Sequence, residues 1–319
     1  MNVSINPTYQ CNLRCNFCYL GEKLSDSKTA QISDIDIKLR ELSQLEPIDH
    51  IDLYGGEIQL LSEEYLNDLF STIKKYYDGK INIITNLTKI SPILLRDDVD
   101  VSVSFDFECR SGFKSTLNNM VLINKPIAVL MLASPCLIKL DIDYMINTLN
   151  SILNIHSVEI KPYSSNQYNN LQVSFTDYEV FIKSILKTRK LRPIFVNELN
   201  IQKSLNGTRN AFSDDHIYLT PSGNFGILDF DENDRELFVE LKNLKMYFEW
   251  REKEKVKIKK NIICGSCKYL GGCLTEHYRE VKSLEHSCNG FRHLLEWYEG
   301  TQVETESLSS NSANNRLDI

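Results

Sequence analysis

Along the first two thirds of the chain, short apolar runs alternate with longer segments of helical periodicity. The run from Asn2 to Asn6 reads as a strand leading into a loop. Residues 33–46 read as a helix with Ser33 at the N-cap. Ile51 to Tyr54 is strand-like and stops at Gly55 and Gly56. Ser62 then opens a helix whose Leu66, Leu69, Phe70 and Ile73 share one face. Further strands follow at 81–84, 101–107, 127–132 and 158–161, each separated from the next by enough chain for a helix. Such alternation predicts an α/β fold whose parallel strands are joined by right-handed crossovers. Six strands are too few to close an eight-stranded barrel. The expected core over residues 1–210 is therefore an open, partial (β/α)6 barrel.

Beyond residue 210 the texture changes. Residues 217–228 flank Pro221, Ser222 and Gly223, which is a hairpin signal. Residues 240–256 read as a helix rich in lysine and glutamate. A small second domain is expected over 211–300. The serine- and asparagine-rich stretch 301–319 is expected to be a disordered tail.

Composition narrows the reading only slightly. The 319 residues carry 36 basic and 43 acidic side chains, a formal net charge of −7, which speaks against general binding of nucleic-acid phosphates. No apolar run approaches the roughly 20 residues of a membrane-spanning helix, and the first residues lack a secretory pattern. The expected location is the cytoplasm. Nine cysteines are more informative: Cys11, Cys15 and Cys18 form one group, Cys264, Cys267, Cys273 and Cys288 another, with Cys109 and Cys136 between. The cytosol keeps thiols reduced, so clustered cysteines read as metal or iron–sulfur ligands rather than as a disulfide framework. Cys109 and Cys136 read as small buried apolar residues.

Cys11, Cys15 and Cys18 stand in a CxxxCxxC sequence with Phe17 before the last cysteine. Three thiolates on one tight loop can occupy three corners of a cubane cluster and leave one of its irons without a protein ligand. A zinc knot or three unrelated thiols are the alternatives. The motif, placed after a first strand, resembles the radical S-adenosylmethionine (radical SAM) superfamily over roughly residues 1–210. The resemblance implies that Cys11, Cys15 and Cys18 hold a SAM-binding [4Fe–4S] cluster and that Phe17 lies near the adenine. It implies reductive cleavage of SAM, removal of a substrate hydrogen by the 5′-deoxyadenosyl radical and, as the alternative to a buried apolar role for Cys109 and Cys136, thiols able to donate a hydrogen atom to a substrate radical. Gly55-Gly56-Glu57, at the end of the second expected strand, resembles that family's GGE motif, which meets the methionine amino group. Asn86 ends the third strand, and Ser104 and Asp106 share a face of the fourth. Lys161 ends the sixth. By resemblance these are SAM contacts, and all fall where open parallel sheets place ligands.

Cys264, Cys267, Cys273 and Cys288 follow a C-x2-C-x5-C-x14-C pattern. Four thiolates can saturate a zinc ion or an iron–sulfur cluster. With the first group present, the segment resembles a SPASM/twitch domain, which implies one auxiliary [4Fe–4S] cluster. Two departures from the fuller pattern stand out: no cysteine follows Gly223 in the hairpin, and His277 stands where a further cysteine is usual. His277 reads as a surface histidine.

The resemblance implies a maturase acting on a ribosomally made precursor peptide, and a reductant such as flavodoxin or ferredoxin. The first strand begins at once, so leader recognition would fall to a separate protein or to the C-terminal domain. The tyrosine-rich stretch 163–170 is either a substrate contact or a solvated loop. Alternatives are a small-molecule dehydrogenase acting on a sugar, aminocyclitol or nucleoside, and a non-enzymatic zinc or iron–sulfur module. Neither a membrane nor a nucleic-acid partner is expected.

Overall fold

A computed structural model describes residues 1–163, 165, 166, 168, 169, 171–212, 214–231, 235–274, 287, 288 and 291–301. The six strands expected for the core are present as β1 (Asn2–Ile5), β2 (His50–Leu53), β3 (Ile81–Thr85), β4 (Val99–Ser104), β5 (Ile127–Ala133) and β6 (Ile155–Pro162). Consecutive members pair in parallel, Val3 opposite Ile51 and Ile83 opposite Val101, for example. Between them run α1 (Ile32–Ser43), α2 (Glu63–Ile73), α3 (Phe113–Leu122) and α4 (Ile142–Ser151). Ser62 caps α2 as expected, its hydroxyl accepting from the Tyr65 amide at 3.2 Å. Helix α1 instead begins one residue before Ser33, with Gln31 at its N-cap and no side-chain cap bond.

Four strands extend this sheet. After α5 (Phe175–Thr188), β7 (Ile194–Phe195) pairs in parallel with β6 and leads into α6 (Val196–Leu205). The expected hairpin is β8 (His216–Leu219) and β9 (Phe225–Phe230), turning at Gly223 with φ +74°. A third strand, β10 (Glu236–Leu241), pairs with β9. Strand β8 also lies parallel to β1, Asn2 opposite His216, so all ten strands share one sheet in the order β10-β9-β8-β1-β2-β3-β4-β5-β6-β7. Helix α7 (Leu244–Lys260) and a helix over 291–301 follow. Among the described residues no helix is long and apolar enough to cross a membrane. The residues after 301 and His277 lie outside those described.

The two faces of the sheet differ in chemistry. Val3, Ile51, Ile83, Val101 and Val129 pack with Leu39, Leu69, Phe70 and Met120 of the helices in one buried core. The alternate positions turn the other way and are largely polar. Ser4 Oγ lies 3.1 Å from His216 Nε2, Asn82 Nδ2 donates to Asp52 at 2.7 Å, and Ser102 Oγ donates to Asn82 at 2.9 Å. A parallel sheet covered on both faces would be apolar at both sets of positions. The alternation here marks a face that lines a cavity.

His50 joins this polar row, Nε2 lying 3.0 Å from Asp52 Oδ1. That bond raises the imidazole's pKa against the opposing effect of burial. Burial alone would raise Asp52, but the bonds from His50 and Asn82 outweigh it and lower the carboxyl. A histidine raised on folding adds stability that is full below its unfolded pKa of about 6.5 and fades as pH rises through the higher folded value. His50→Gln should therefore flatten the pH dependence of stability from about pH 6.5 upward. Denaturant midpoints of both forms across that range check this, and an unchanged profile would refute the pairing.

Candidate functional site

A cavity of about 430 Å³ opens against the polar face of the sheet. Its wall includes Cys11, Cys15, Cys18 and Phe17 from the loop after β1. Gly55 and Gly56 after β2, Asn86 after β3, Ser104 of β4 and Lys161 of β6 also line it. Nine of the sequence-derived candidates thus converge on one space at the strands' C-terminal ends. Glu57 and Asp106 stand behind the wall and brace it.

The cysteine loop has little regular structure of its own, so its placement depends on what holds it. The backbone of Thr8 to Gln10 lies directly on the glycine pair: Gly56 N donates to Thr8 O at 3.0 Å and Glu57 N to Gln10 O at 2.8 Å. A Cβ on Gly56 would sit 2.1 Å from the Gln10 carbonyl oxygen, and one on Gly55 2.7 Å from that of Thr8. The glycines are required here for chain-to-chain approach. Glu57, 2% exposed, accepts from Asn86 N at 2.8 Å, Thr85 Oγ1 at 2.7 Å and Gln59 N at 3.2 Å. Burial nonetheless raises its carboxyl, and these bonds offset only part of that effect. Asn86 Nδ2 in turn donates to Asn12 Oδ1 at 2.8 Å, tying β3 to the loop between the first two cysteines.

Within the loop, Cys18 N donates to Cys15 O at 3.1 Å, closing a single turn between the two cysteines. Burial pushes all three thiols up, and the nearness of Cys11 and Cys18 pushes Cys15 further. Phe17 is buried beside them, and its carbonyl accepts from Asn166 Nδ2 at 3.3 Å.

Arg110 also lines the cavity, beside this loop. Its guanidinium lies over the Phe17 ring at 5.1 Å, and Nη1 comes within 3.6 Å of Cys15 Sγ. Nη2 and Nε hold Asp106 at 2.6 and 2.8 Å. Asp106, fully buried, also accepts from Leu132 N at 2.6 Å, linking the β4 and β5 ends. The intervening Phe107 is held at φ +51°, an uncommon conformation for a bulky residue. Cys109 and Cys136 form a disulfide joining the same two strand ends. In this state neither is a free thiol able to donate a hydrogen atom. A lone loop arginine gives no sequence signal, and its role here follows from its neighbours.

In the second cysteine group, Asn261 Oδ1 accepts from the Cys264 and Ile263 amides, both at 2.9 Å, and Cys267 N donates to Cys264 O at 3.0 Å. Burial, with Cys288 and Cys267 close by, pushes the Cys264 thiol up to about 11. Arg209 lines the main cavity, and its Nε donates to Cys273 O at 2.9 Å. The second group therefore borders the first group's cavity. Among the described residues no three histidine, cysteine or acidic side chains converge tightly enough for a single metal ion. A cubane holds its cysteines further apart than a lone ion does. The stretch 163–169 is buried rather than solvated at Tyr163, Ser165 and Asn166, and Tyr163 and Asn166 line the cavity. Ser164, Gln167 and Asn170 of the same stretch lie outside the described residues.

Residues 5–104 match the family model of the radical SAM superfamily. No curated protein matches by sequence. Among solved structures, native anSMEcpe with bound AdoMet superposes with a TM-score of 0.65 at 16% identity, covering 98% of this chain and 99% of that one. Streptococcus suis SuiB bound to S-adenosylmethionine gives a TM-score of 0.62 at 15% identity over 91% of this chain and 76% of that one. SuiB bound to precursor peptide SuiA gives 0.61 at 16% over 91% and 74%. The chain shares the fold of anSMEcpe over nearly its whole length and that of about three quarters of SuiB.

Arg110→Met would leave Asp106 buried without its cation. Removing one partner of a buried pair costs about 3–5 kcal/mol, and the thiol loop loses its neighbouring positive charge. Chemical denaturation and iron content after anaerobic reconstitution should both fall. Wild-type values for both would show that the pair does not hold the loop.

Proposed function

We propose that Cys11, Cys15 and Cys18 hold a [4Fe–4S] cluster with one open iron, and that the enzyme modifies a precursor peptide. The observation that carries this is the meeting of three adjacent thiols, the Arg110 guanidinium and the ends of five strands around one cavity. The residues fit the group: three sulfurs come from one loop, and Arg110 offsets the negative charge that three thiolates would bring. When bound, such a cluster supplies the electron that cleaves SAM and so generates the 5′-deoxyadenosyl radical.

The protein's part is binding and orientation. Gly55, Gly56, Asn86 and Ser104 present backbone and side-chain polar groups to the methionine and ribose portions. Lys161 and Arg110 place positive charge toward the carboxylate, and Phe17 offers a ring near the adenine. Glu57 and Asp106 act from behind the wall by fixing Asn86 and Arg110. Cys264, Cys267, Cys273 and Cys288 hold an auxiliary [4Fe–4S] cluster in a SPASM/twitch-like segment over 211–300. Four thiolates leave that cluster no open iron, which suits electron transfer or structural support. Arg209 bridges that segment to the cavity, where Tyr54, Tyr163, Tyr218 and Glu236 supply aromatic and acidic surface for a substrate. The peptide reading draws its support from SuiB, whose solved complex contains a precursor peptide. A separate leader-binding protein and a flavodoxin or ferredoxin complete the expected system, in the cytoplasm.

Reconstituted wild-type protein should hold about eight irons per chain from two four-iron clusters and form 5′-deoxyadenosine with SAM and dithionite. Cys15→Ala should abolish that product. Cys273→Ala should lower iron to about four per chain while SAM cleavage without substrate persists. Undiminished cleavage by Cys15→Ala would refute the first assignment. Unchanged iron in Cys273→Ala would refute the second. Mass spectrometry of a short peptide encoded beside this chain, co-expressed at low oxygen, tests the substrate class, and an unmodified peptide would favour a small molecule.

A further inference from the structure

Residues 253–268 contain six lysines and one glutamate, in a chain whose formal net charge is −7. Lys253, Val256, Lys257 and Lys260 recur at helical spacing on α7 and are all exposed, as are Lys259 and Ile262. The opposite side of the helix, with Leu244, Tyr247 and Ile258, is buried. Lys253, Lys259 and Lys260 form no ion pair among the described residues, whereas Lys257 is paired with Glu254. Cations in the last turn complement the helix dipole. That effect fades within the last turn and so does not account for Lys253, nearly two turns from the helix end.

This stripe ends at the second cysteine group. Gly265, between Cys264 and Cys267, lies so close to the helix end that a Cβ there would be 2.5 Å from the Lys259 carbonyl oxygen. Its amide donates to Asn261 O at 2.8 Å. Cys264 and Cys267 are themselves only partly buried. A concentrated positive surface thus directly borders two partly buried thiols of that group.

We infer that the exposed lysine face of α7 is the docking surface for a small acidic one-electron carrier protein. The inference rests on the auxiliary-cluster reading of Cys264, Cys267, Cys273 and Cys288 above. Opposite charge steers such a partner, and a docked carrier would bring its redox centre to the cysteine loop. Each encounter passes one electron: the reduced carrier loses one and the cluster held by the loop gains one. An exposed hydrophobic residue within the patch, Ile262, at 75% exposure, supplies apolar contact beside the charge.

The test uses the iron-loaded full chain, with flavodoxin as probe, binding measured by surface plasmon resonance. Wild-type affinity should weaken steeply as salt rises. The variant K253E/K257E/K259E/K260E should bind about tenfold or more weakly at low salt and lose most of the salt dependence. Reversal of Lys187 and Lys190, at the end of α5, should leave binding unchanged. Dithionite-driven formation of 5′-deoxyadenosine should be equal in all forms, since dithionite needs no docking site. Equal flavodoxin binding by wild type and the four-fold variant, or equal loss from the α5 control, overturns the inference. If the four-fold variant misfolds, K253E/K257E carries the same comparison, and no loss there overturns it too. Failure of wild type to cleave SAM with dithionite would sink the catalytic reading, while the binding arm would still decide the docking surface.

Discussion

The backbone contact between Thr8–Gln10 and Gly55–Gly56 is the constraint on which the site depends. The loop carrying Cys11, Cys15 and Cys18 has neither a strand nor a long helix to position it. It is fixed because two positions without Cβ atoms let a second chain segment lie directly against it. Glu57 then continues that contact inward, spending its buried carboxylate on the ends of β3 rather than on solvent. Asn86 returns the connection to Asn12. The glycine motif that resembles a ligand contact is therefore also the scaffold of the cysteine loop.

A second bracing system works from the other side. Asp106 and Arg110 join the ends of β4 and β5 to Cys15 and Phe17, and the Cys109–Cys136 disulfide crosses the same gap. The left-handed backbone at Phe107 is tolerated because bonds on either side fix it. Between the two bracing systems lies the polar face of the sheet. Ser4, Asp52, Asn82 and Ser102 satisfy one another or their neighbours there, which allows a parallel sheet to carry polar groups next to a cavity without unpaired donors.

The core strands were legible because their buried positions alternate with polar ones and because most are followed by a helical period long enough to cross back, although β3 reaches β4 through only a short 3-10 turn at Pro92–Leu95. Cysteine spacing marked both thiol groups, because their members lie close together in sequence. What lay beyond reach was set by contacts between distant segments. The pairing of β8 with β1 joins His216 to Asn2, and no local pattern in either run announces it. Likewise the Cys109–Cys136 bridge depends on β4 and β5 being neighbours, and the importance of Arg110 depends on where Cys15 and Phe17 lie. Ser33 was a plausible cap by residue type, yet α1 starts one residue earlier because a capping residue sets no boundary by itself.

The central claim is that one cluster in this protein has an iron open to SAM and another does not. Electron paramagnetic resonance of the reduced, iron-loaded enzyme, recorded with and without S-adenosylmethionine, tests it most directly. Two reduced-cluster signals are predicted, of which one shifts when S-adenosylmethionine is added and the other stays in place. Spectra that are identical in both conditions would contradict the account.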